Sequence, residues 1–255
     1  MKVAFCVYIE RGVVRKEATE AARYFLLKSL VEDEAFGEVP APMLQTLVDS
    51  AEVRGARKSD VIYDVGEQWG RLGFVIDGCI AMIAEGEDGK EHLYETAFPR
   101  QFFGVSAMFD GGVEMARTIV VSTKARFALI DRPIVLELCK QDGILAIAFA
   151  MTLARRLRRT TSLLAAQLNL TAQERIARYL LSFAVESGLA LALDPLPQMT
   201  QAQIGAAAGT VKDVAARTIG NFERQGALKR ERGHVRWLHK ERLHALARLP
   251  EPVTA

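Results

Sequence analysis

The spacing of hydrophobic positions changes along this chain of 255 residues. Between about residues 40 and 132, short apolar runs alternate with turn signals such as Asp77-Gly78 and Asp88-Gly89. Runs of this length and spacing predict antiparallel strands in a barrel or sandwich. The runs lie at 61–63, 74–76, 80–83, 92–94, 119–121 and 127–130.

The N-terminal segment is less regular. A short apolar run at 2–9 has the length of a strand, and residues 17–30 follow a helical period. In that helix Ala21, Phe25 and Leu26 are predicted to face inward. The pattern leaves open whether this segment is ordered.

A longer helical period runs from about residue 144 to 170. Its stripe consists of Leu153, Leu157, Thr160, Leu164 and Leu168. Spacings that alternate between four and three residues are close to the seam of a coiled coil. A helix of this length leaves such a stripe partly exposed in a single chain, which predicts a parallel homodimer. A buried core helix without a dimer remains the alternative.

After a further amphipathic helix at about 171–187, the pattern predicts two short helices joined by a tight turn. Gly209 can take the left-handed conformation that ends the first of them. Thr210 and Asp213 have the spacing of a capping box for the second. We therefore expect the second helix to begin next to Thr210.

The second helix has two different faces. Ala215, Ile219 and Phe222 share one face, and small residues together with Asp213 and Arg217 occupy the other. A helix with such an outward face fits into the DNA major groove, which is about as wide as an α-helix. A hairpin with basic residues follows, at Lys229, Arg230, Arg232, His234 and Arg236. The order predicts a winged helix-turn-helix that binds DNA, with a solvated helical hairpin as the alternative.

Charge and composition narrow the choice of function. Thirty-three basic and 31 acidic residues give a net charge of +2, so positive charge is concentrated locally, at 155–159 and 229–236. Cys6, Cys79 and Cys139 have no metal-ligand spacing and indicate a reducing cytoplasm. No signal-peptide, membrane-span or catalytic motif is present, so we expect a soluble protein that is not an enzyme.

Several motifs together resemble the Crp/Fnr-type transcription regulators, relatives of the cyclic-AMP receptor protein, over roughly residues 36–237. The motifs are Asp77-Gly78, the turn at 88–91, Phe103-Gly104 with the run at 128–130, the segment 153–157 and the segment 200–205. The resemblance implies an α+β protein with an N-terminal antiparallel β-barrel (a jelly roll of the cyclic-nucleotide-binding type), a long dimerisation helix and a C-terminal winged helix-turn-helix. The expected boundaries are 1–35 for an arm, 36–142 for the sensor, 143–170 for the dimerisation helix and 171–255 for the DNA-binding domain.

The resemblance also implies partners. Such regulators are homodimers that bind palindromic operators in double-stranded DNA and contact RNA polymerase. The implied DNA-binding residues are Gln201, Lys212, Asp213, Arg217, Arg232 and His234. Arg217 has the chemistry to pair with guanine O6 and N7, and Asp213 to accept from cytosine N4. An ion pair between Asp213 and Arg217 within the helix is the alternative.

In this family an effector pocket lies between the barrel and the dimerisation helix. The implied pocket positions are Gly104, Val105, Met115, Ala116, Arg117, Thr160 and Thr161. The threonines match the pair that contacts adenine in the cyclic-nucleotide pattern. Val105 replaces its ribose-binding Glu, and Met115 with Ala116 replaces its phosphate-binding Arg-Ser. Because a buried unpaired phosphate charge is costly, the sequence disfavours cyclic AMP as effector.

Other effectors remain open. A rearranged pocket that uses Arg117 would still hold a cyclic nucleotide, and a haem-based gas sensor would use His92 or Cys79 as iron ligand. A regulator without any ligand, or a ligand-binding protein that has lost DNA binding, also remains.

Overall fold

The computed structural model describes residues 16–68, 70–85, 91–111, 116–120, 122, 124–186, 200–231 and 234–248. The run at 2–9 and the Asp88-Gly89 turn lie outside these ranges. No helix within them is both long enough and apolar enough to span a membrane. The elements are α1 (Lys16–Glu32), α2 (Ala41–Asp49), β1 (Glu52–Arg57), β2 (Val61–Tyr63), β3 (Arg71–Asp77), β4 (Ile80–Glu85), β5 (Glu91–Ala97), β6 (Phe102–Phe103), α3 (Val105–Asp110), β7 (Arg117–Val120), β8 (Lys124–Asp131), α4 (Arg132–Gln141), α5 (Gly143–Asn169), α6 (Ala172–Glu186), α7 (Gln201–Ala207), α8 (Lys212–Arg224), β9 (Leu228–Glu231), β10 (His234–Leu238) and α9 (Lys240–Leu246).

Two four-stranded antiparallel sheets form the sensor. The first sheet has the order β1-β8-β3-β6, and the second has the order β2-β7-β4-β5. Their inner faces enclose a buried cluster that includes Val75, Ile80, Phe103 and Phe127. The expected antiparallel jelly-roll architecture is confirmed, and its strands form two separate sheets rather than one closed ring within the described residues.

Helices cover the outer face of the first sheet. Phe102 lies at the centre of this packing, with ring centroids 5.0 Å from Phe74, 5.3 Å from Phe36 and 5.6 Å from Phe149. Phe102 and Phe103 are neighbours on β6, so they point to opposite faces of the sheet. The first joins the sheet to α5, and the second fills the space between the sheets.

The N-terminal helix belongs to the same core. Ala22, Leu26 and Leu30 are buried at spacings of four residues and pack with the outer face of the first sheet. The expected inward position of Ala21 is wrong, since its side chain is exposed and Phe25 is only partly buried. The helical period was correct, but the orientation of the stripe depended on where the sheet lies.

Three helices inside or beside the sensor were not predicted. Of these, α2 and α4 begin at prolines, with Pro40 as the N-cap of one and Pro133 in the first turn of the other. Proline is favoured there because the first turn of a helix leaves N–H groups without partners. Proline before an apolar period was therefore a usable signal.

The long helix α5 is confirmed, and Asp142 caps its start by accepting a hydrogen bond from the Ile144 N–H at 2.9 Å. Its N-terminal half packs against the sensor through Leu145, Ala148 and Phe149. Leu153 is also partly buried against this core, so its assignment to the exposed stripe is wrong. The stripe that remains exposed lies at 147, 150, 154, 157, 161, 164 and 168.

This exposed stripe alternates by three and four residues, as in a coiled coil. Leu157, Leu164 and Leu168 are 68%, 57% and 77% exposed. Thr160 and Thr161 are both exposed. Thr161 belongs to this stripe, and its hydroxyl donates to the Leu157 carbonyl at 2.8 Å. That hydrogen bond lets a threonine lie among apolar residues without an unsatisfied donor.

We predict that Phe149→Ala lowers the free energy of unfolding by about 3–5 kcal/mol, because it empties the space between α5 and Phe102. Urea unfolding followed by circular dichroism measures the change. Tyr24→Ala is the control, since Tyr24 is 69% exposed and should change stability by about 0.5 kcal/mol or less. Equal effects of the two substitutions would contradict this packing.

Candidate nucleic-acid interface and sensor pocket

The predicted helix-turn-helix is formed by α7 and α8. Gly209 has φ of 62°, the left-handed conformation expected at the end of α7. The Thr210 N–H donates to the Gly205 carbonyl at 2.8 Å, which closes the turn. Ala215 packs closely against Gly205. Small residues at this crossing therefore allow the two backbones to approach.

The start of α8 differs from the prediction. The helix begins at Lys212, its N-cap residue is Val211, and no side chain caps it, so the capping box of Thr210 and Asp213 is wrong. Such a box occurs instead before α6. There the Thr171 N–H and hydroxyl each donate to the Glu174 carboxylate at 2.8 Å, and the Glu174 N–H donates to the Thr171 hydroxyl oxygen at 3.3 Å. These bonds hold the pKa of Glu174 below its usual value.

Arg175 ties the turn of the helix-turn-helix to α6. Its guanidinium donates to the carbonyls of Ala208 at 2.8 Å, Leu170 at 2.7 Å and Gly209 at 3.1 Å. Sequence reasoning missed this residue, because main-chain acceptors 33 and 34 residues away leave no motif. The contact fixes the turn relative to the end of α5.

The outward face of α8 is as predicted. Lys212, Asp213 and Arg217 are exposed, whereas Ala215, Ile219 and Phe222 of the opposite face are fully buried. Within the described residues neither Asp213 nor Arg217 forms an ion pair or hydrogen bond, so the alternative ion pair between them is not formed. Gln201, half-buried, is the first residue of α7.

The wing consists of β9 and β10, paired antiparallel. Arg230, one of the basic residues of the wing, forms an ion pair within the domain. Its Nε and Nη2 donate to Glu223 Oε2 of α8 at 2.8 and 2.6 Å. These bonds hold the pKa of Glu223 below its usual value and fasten the wing to α8. Lys229 is exposed. Arg232 and the side chain of His234 lie outside the described residues.

In the sensor, the space between the sheets is filled by aromatic side chains. The ring of Phe103 lies directly on Gly73, where any larger residue would clash, and its centroid is 6.0 Å from that of Phe127. Thr118 is fully buried beside Met82, and its Oγ1 has no hydrogen-bond partner among the described atoms. Among the residues whose burial the structure describes, Glu174 of α6 is the one buried charged residue, so none of these residues places a buried charge between the sheets.

The expected pocket residues are dispersed. Val105 is buried with the helices on the outer side of the first sheet, whereas Ala116 is buried between the sheets. Arg117 is exposed and donates from Nε to Asp64 Oδ1 at 3.0 Å. A hydrogen bond from the Val65 N–H, and after it the one from Arg117, hold the pKa of Asp64 below its usual value. Arg117 therefore does not point into the space between the sheets.

The structure describes three of the remaining pocket positions. Gly104 caps α3 with φ of 74°. Thr160 and Thr161 are exposed on α5, and Met115 lies outside the described residues.

Of the two candidate haem ligands, Cys79 is the one whose side chain the structure describes. Cys79 is fully buried, and burial raises the pKa of its thiol, so it stays protonated. It shares a buried cluster with Phe98 of the sensor and Ile204 of α7. The His92 side chain is outside the described part of the structure, and within that part no group of His, Cys, Asp or Glu is arranged to hold a metal ion.

Comparisons with known proteins agree with this architecture. Residues 53–142 match the family described as cyclic nucleotide-binding domain, and residues 174–246 match the family described as Crp-like helix-turn-helix domain. The CRP-like cAMP-activated global transcriptional regulator of Mycobacterium tuberculosis is 26% identical over 193 residues, covering 75% of this chain and 86% of that protein.

Two further relatives give the same result. The cAMP-activated global transcriptional regulator Vfr of Pseudomonas aeruginosa is 28% identical over 177 residues, covering 68% of this chain and 82% of that protein. The structure of FixK2 from Bradyrhizobium japonicum superimposes with a TM-score of 0.69 at 22% identity, covering 77% of this chain and 96% of FixK2. Because the cyclic nucleotide-binding domain and the Crp-like helix-turn-helix domain both match this chain, over 53–142 and 174–246, the chain belongs to the Crp/Fnr family of DNA-binding transcription regulators.

Proposed function

We propose that the protein is a homodimeric cytoplasmic regulator that reads a palindromic operator with α8, contacts RNA polymerase and responds to an effector other than cyclic AMP. The observation that carries the proposal is that Asp213 and Arg217 are exposed and form no ion pair with each other, on a helix whose other face is fully buried. Side chains in this position are available to base edges, because no hydrogen bond or ion pair with another described residue competes for them.

Position on the helix supports base reading. Recognition helices contact bases mainly with their N-terminal residues, and Lys212, Asp213 and Arg217 lie in the first two turns of α8. The helix is held by Arg175 at its leading turn and by the Arg230–Glu223 pair at its other end. A rigidly held helix loses little conformational entropy on binding, which favours specific contacts.

The homodimer is supported by the apolar stripe of α5. Leu157, Leu164 and Leu168 are all more than half exposed, at the spacing of a coiled-coil seam. A contiguous apolar patch of this kind marks an interaction surface. Because the stripe repeats along one helix, a second copy of the same helix covers it with matching side chains.

The sensor interior offers a cyclic phosphate no cation. Its buried cluster is apolar, Phe103 and Phe127 fill it, and Arg117 pairs with Asp64 on the outside. A cyclic phosphate placed there would lose water without gaining a cation. A cyclic-nucleotide regulator is the second candidate, because the two regulators with 26% and 28% identity are cAMP-activated.

Arg217→Ala should cost about 1–3 kcal/mol of operator affinity and remove the preference at one base pair of each half-site, because a bidentate contact to guanine is lost. Fluorescence anisotropy with operator and random duplexes, at several salt concentrations, measures both quantities. Arg224→Ala is the matched control, since Arg224 is exposed at the C-terminal end of the same helix. If Arg217→Ala weakens both duplexes equally, the residue contacts phosphate rather than a base.

The double substitution Leu157→Glu and Leu164→Glu should weaken dimerisation by about a hundredfold or more, since it places charges inside the seam. Analytical ultracentrifugation over a dilution series gives the dissociation constant. Tyr24→Glu with Val31→Glu supplies the control, because both residues are exposed apolar side chains on α1. An unchanged dimer in the seam variant would place the subunit contact elsewhere.

Cyclic AMP at micromolar concentration should neither bind nor change operator affinity. Titration calorimetry on the purified protein, paired with anisotropy on an operator duplex, tests both. Micromolar binding with raised operator affinity would establish the cyclic-nucleotide alternative. Arg117→Ala would then show whether Arg117 leaves Asp64 to hold the phosphate, because that variant should lose both effects.

A further inference from the structure

A cleft of about 420 Å³ lies between α1 and α5, above the outer face of the first sheet. Ser29 of α1 and Asp33, which follows the end of α1, line one side, and Thr152, Arg156 and Arg159 line it from α5. Its volume is in the range of small-molecule sites. None of the described pocket positions of the cyclic-nucleotide pattern lines it, so it is a different site.

The lining is rich in guanidinium groups. Arg100, Arg155, Arg156 and Arg159 all contribute to it, whereas its carboxylates are Asp33 and Glu95. Arg155 pairs with Asp33 at 3.4 Å and with Glu34 at 2.9 Å. Because these carboxylates are 38% and 85% exposed, water competes with both pairs. Arg100 similarly binds the half-exposed Glu32 at 2.5 Å. Carboxylates on the rim thus orient these arginines without enclosing their charge.

Arg156 is the innermost of the four. Its side chain is 22% exposed, lies 3.0 Å from Glu95 Oε1 and donates to the Phe102 carbonyl. Burial and the neighbouring charge of Arg159 both lower the pKa of Arg156, and Glu95 opposes them. Two guanidinium groups three residues apart on one helix face therefore crowd positive charge at the floor of the cleft.

Arg100 enters the cleft from a strained turn. Its φ is 74°, although a side chain disfavours the left-handed region. The turn is fixed by hydrogen bonds of the Arg100 N–H to the Val75 carbonyl at 3.0 Å and of the Val75 N–H to the Gln101 carbonyl at 2.9 Å. Strain that is held in place at the rim of a cavity is typical of binding sites.

We propose that this cleft binds a small organic phosphate, with its dianion between Arg156 and Arg159 and its apolar part over Phe74 and Phe102. The guanidinium fork matches the oxygens of a phosphate, and the phenylalanines lie at the floor of the same cavity. The site faces away from the apolar stripe of α5, because Arg155, Arg156 and Arg159 lie on the opposite side of the helix. A partner subunit on that stripe leaves the cleft open.

The inference deepens the proposed function and rests on it, because the ligand would link α1 to the helix that leads to the DNA-binding domain. An occupied cleft stabilises one position of α5 relative to the sensor. If this position of α5 and its alternative in the empty protein bind the operator with different affinity, operator binding depends on the ligand.

The test uses the full-length protein and phenyl phosphate as probe, with titration calorimetry as the readout. Benzyl alcohol carries the ring without the dianion, and inorganic phosphate carries the dianion without the ring. We expect phenyl phosphate to bind at one site per chain and more tightly than either. Arg159→Gln should weaken this binding by about tenfold or more, since it removes a charge-assisted hydrogen-bond donor.

Arg158→Gln is the matched control, because it makes the same charge change one residue away on an exposed face of α5. Equal weakening by both variants, or no binding of phenyl phosphate at millimolar concentration, would overturn the proposal. Operator affinity is measured in parallel, with and without phenyl phosphate. If operator binding persists while phenyl phosphate fails to bind, the cleft proposal alone is wrong. A protein that binds phenyl phosphate but binds no operator duplex, with or without that probe, would instead refute the proposed function.

Discussion

The packing of Phe149 on Phe102 is the contact on which the other parts of the molecule depend. It fixes the N-terminal half of α5 on the outer face of the first sheet, together with Leu145 and Ala148. Since the helix continues for several turns past this contact, its C-terminal half extends beyond the sensor core. The exposed stripe, the cleft beside α1 and the position of the DNA-binding domain all follow from that course.

The sensor and the DNA-binding domain are also joined directly. Cys79, directly before β4, and Phe98, directly after β5, belong to the same buried cluster as Ile204 and Ile219. Gln167 near the end of α5 lies against Gly209 in the turn of the helix-turn-helix. Movement of α5 relative to the sheets therefore has to rearrange two contacts with the DNA-binding domain, which is the physical basis for coupling effector binding to DNA binding.

Arginine has three different uses in this chain of nearly neutral net charge. Arg175 satisfies main-chain carbonyls, Arg230 binds a carboxylate within its own domain, and Arg217 remains exposed. Only the last kind is available to DNA. A count of basic residues in the wing overstates its free charge for this reason.

The amino-acid sequence alone determined most sensor strands, the long helix α5 and the helix-turn-helix in their order, because apolar periods of two and of 3.6 residues are local properties. It also determined the two faces of α8, as the exposed Arg217 and the buried Ile219 show. Tertiary structure decided which residues of a helix face the core, as Ala21 and Leu153 show. Both lie on helices whose rotation about the helix axis is set by the sheet beneath them. It likewise decided the pairing of Arg117 with Asp64 and the meeting of Arg100 with Arg156, since contacts between residues distant in sequence depend on how the sheets and helices pack.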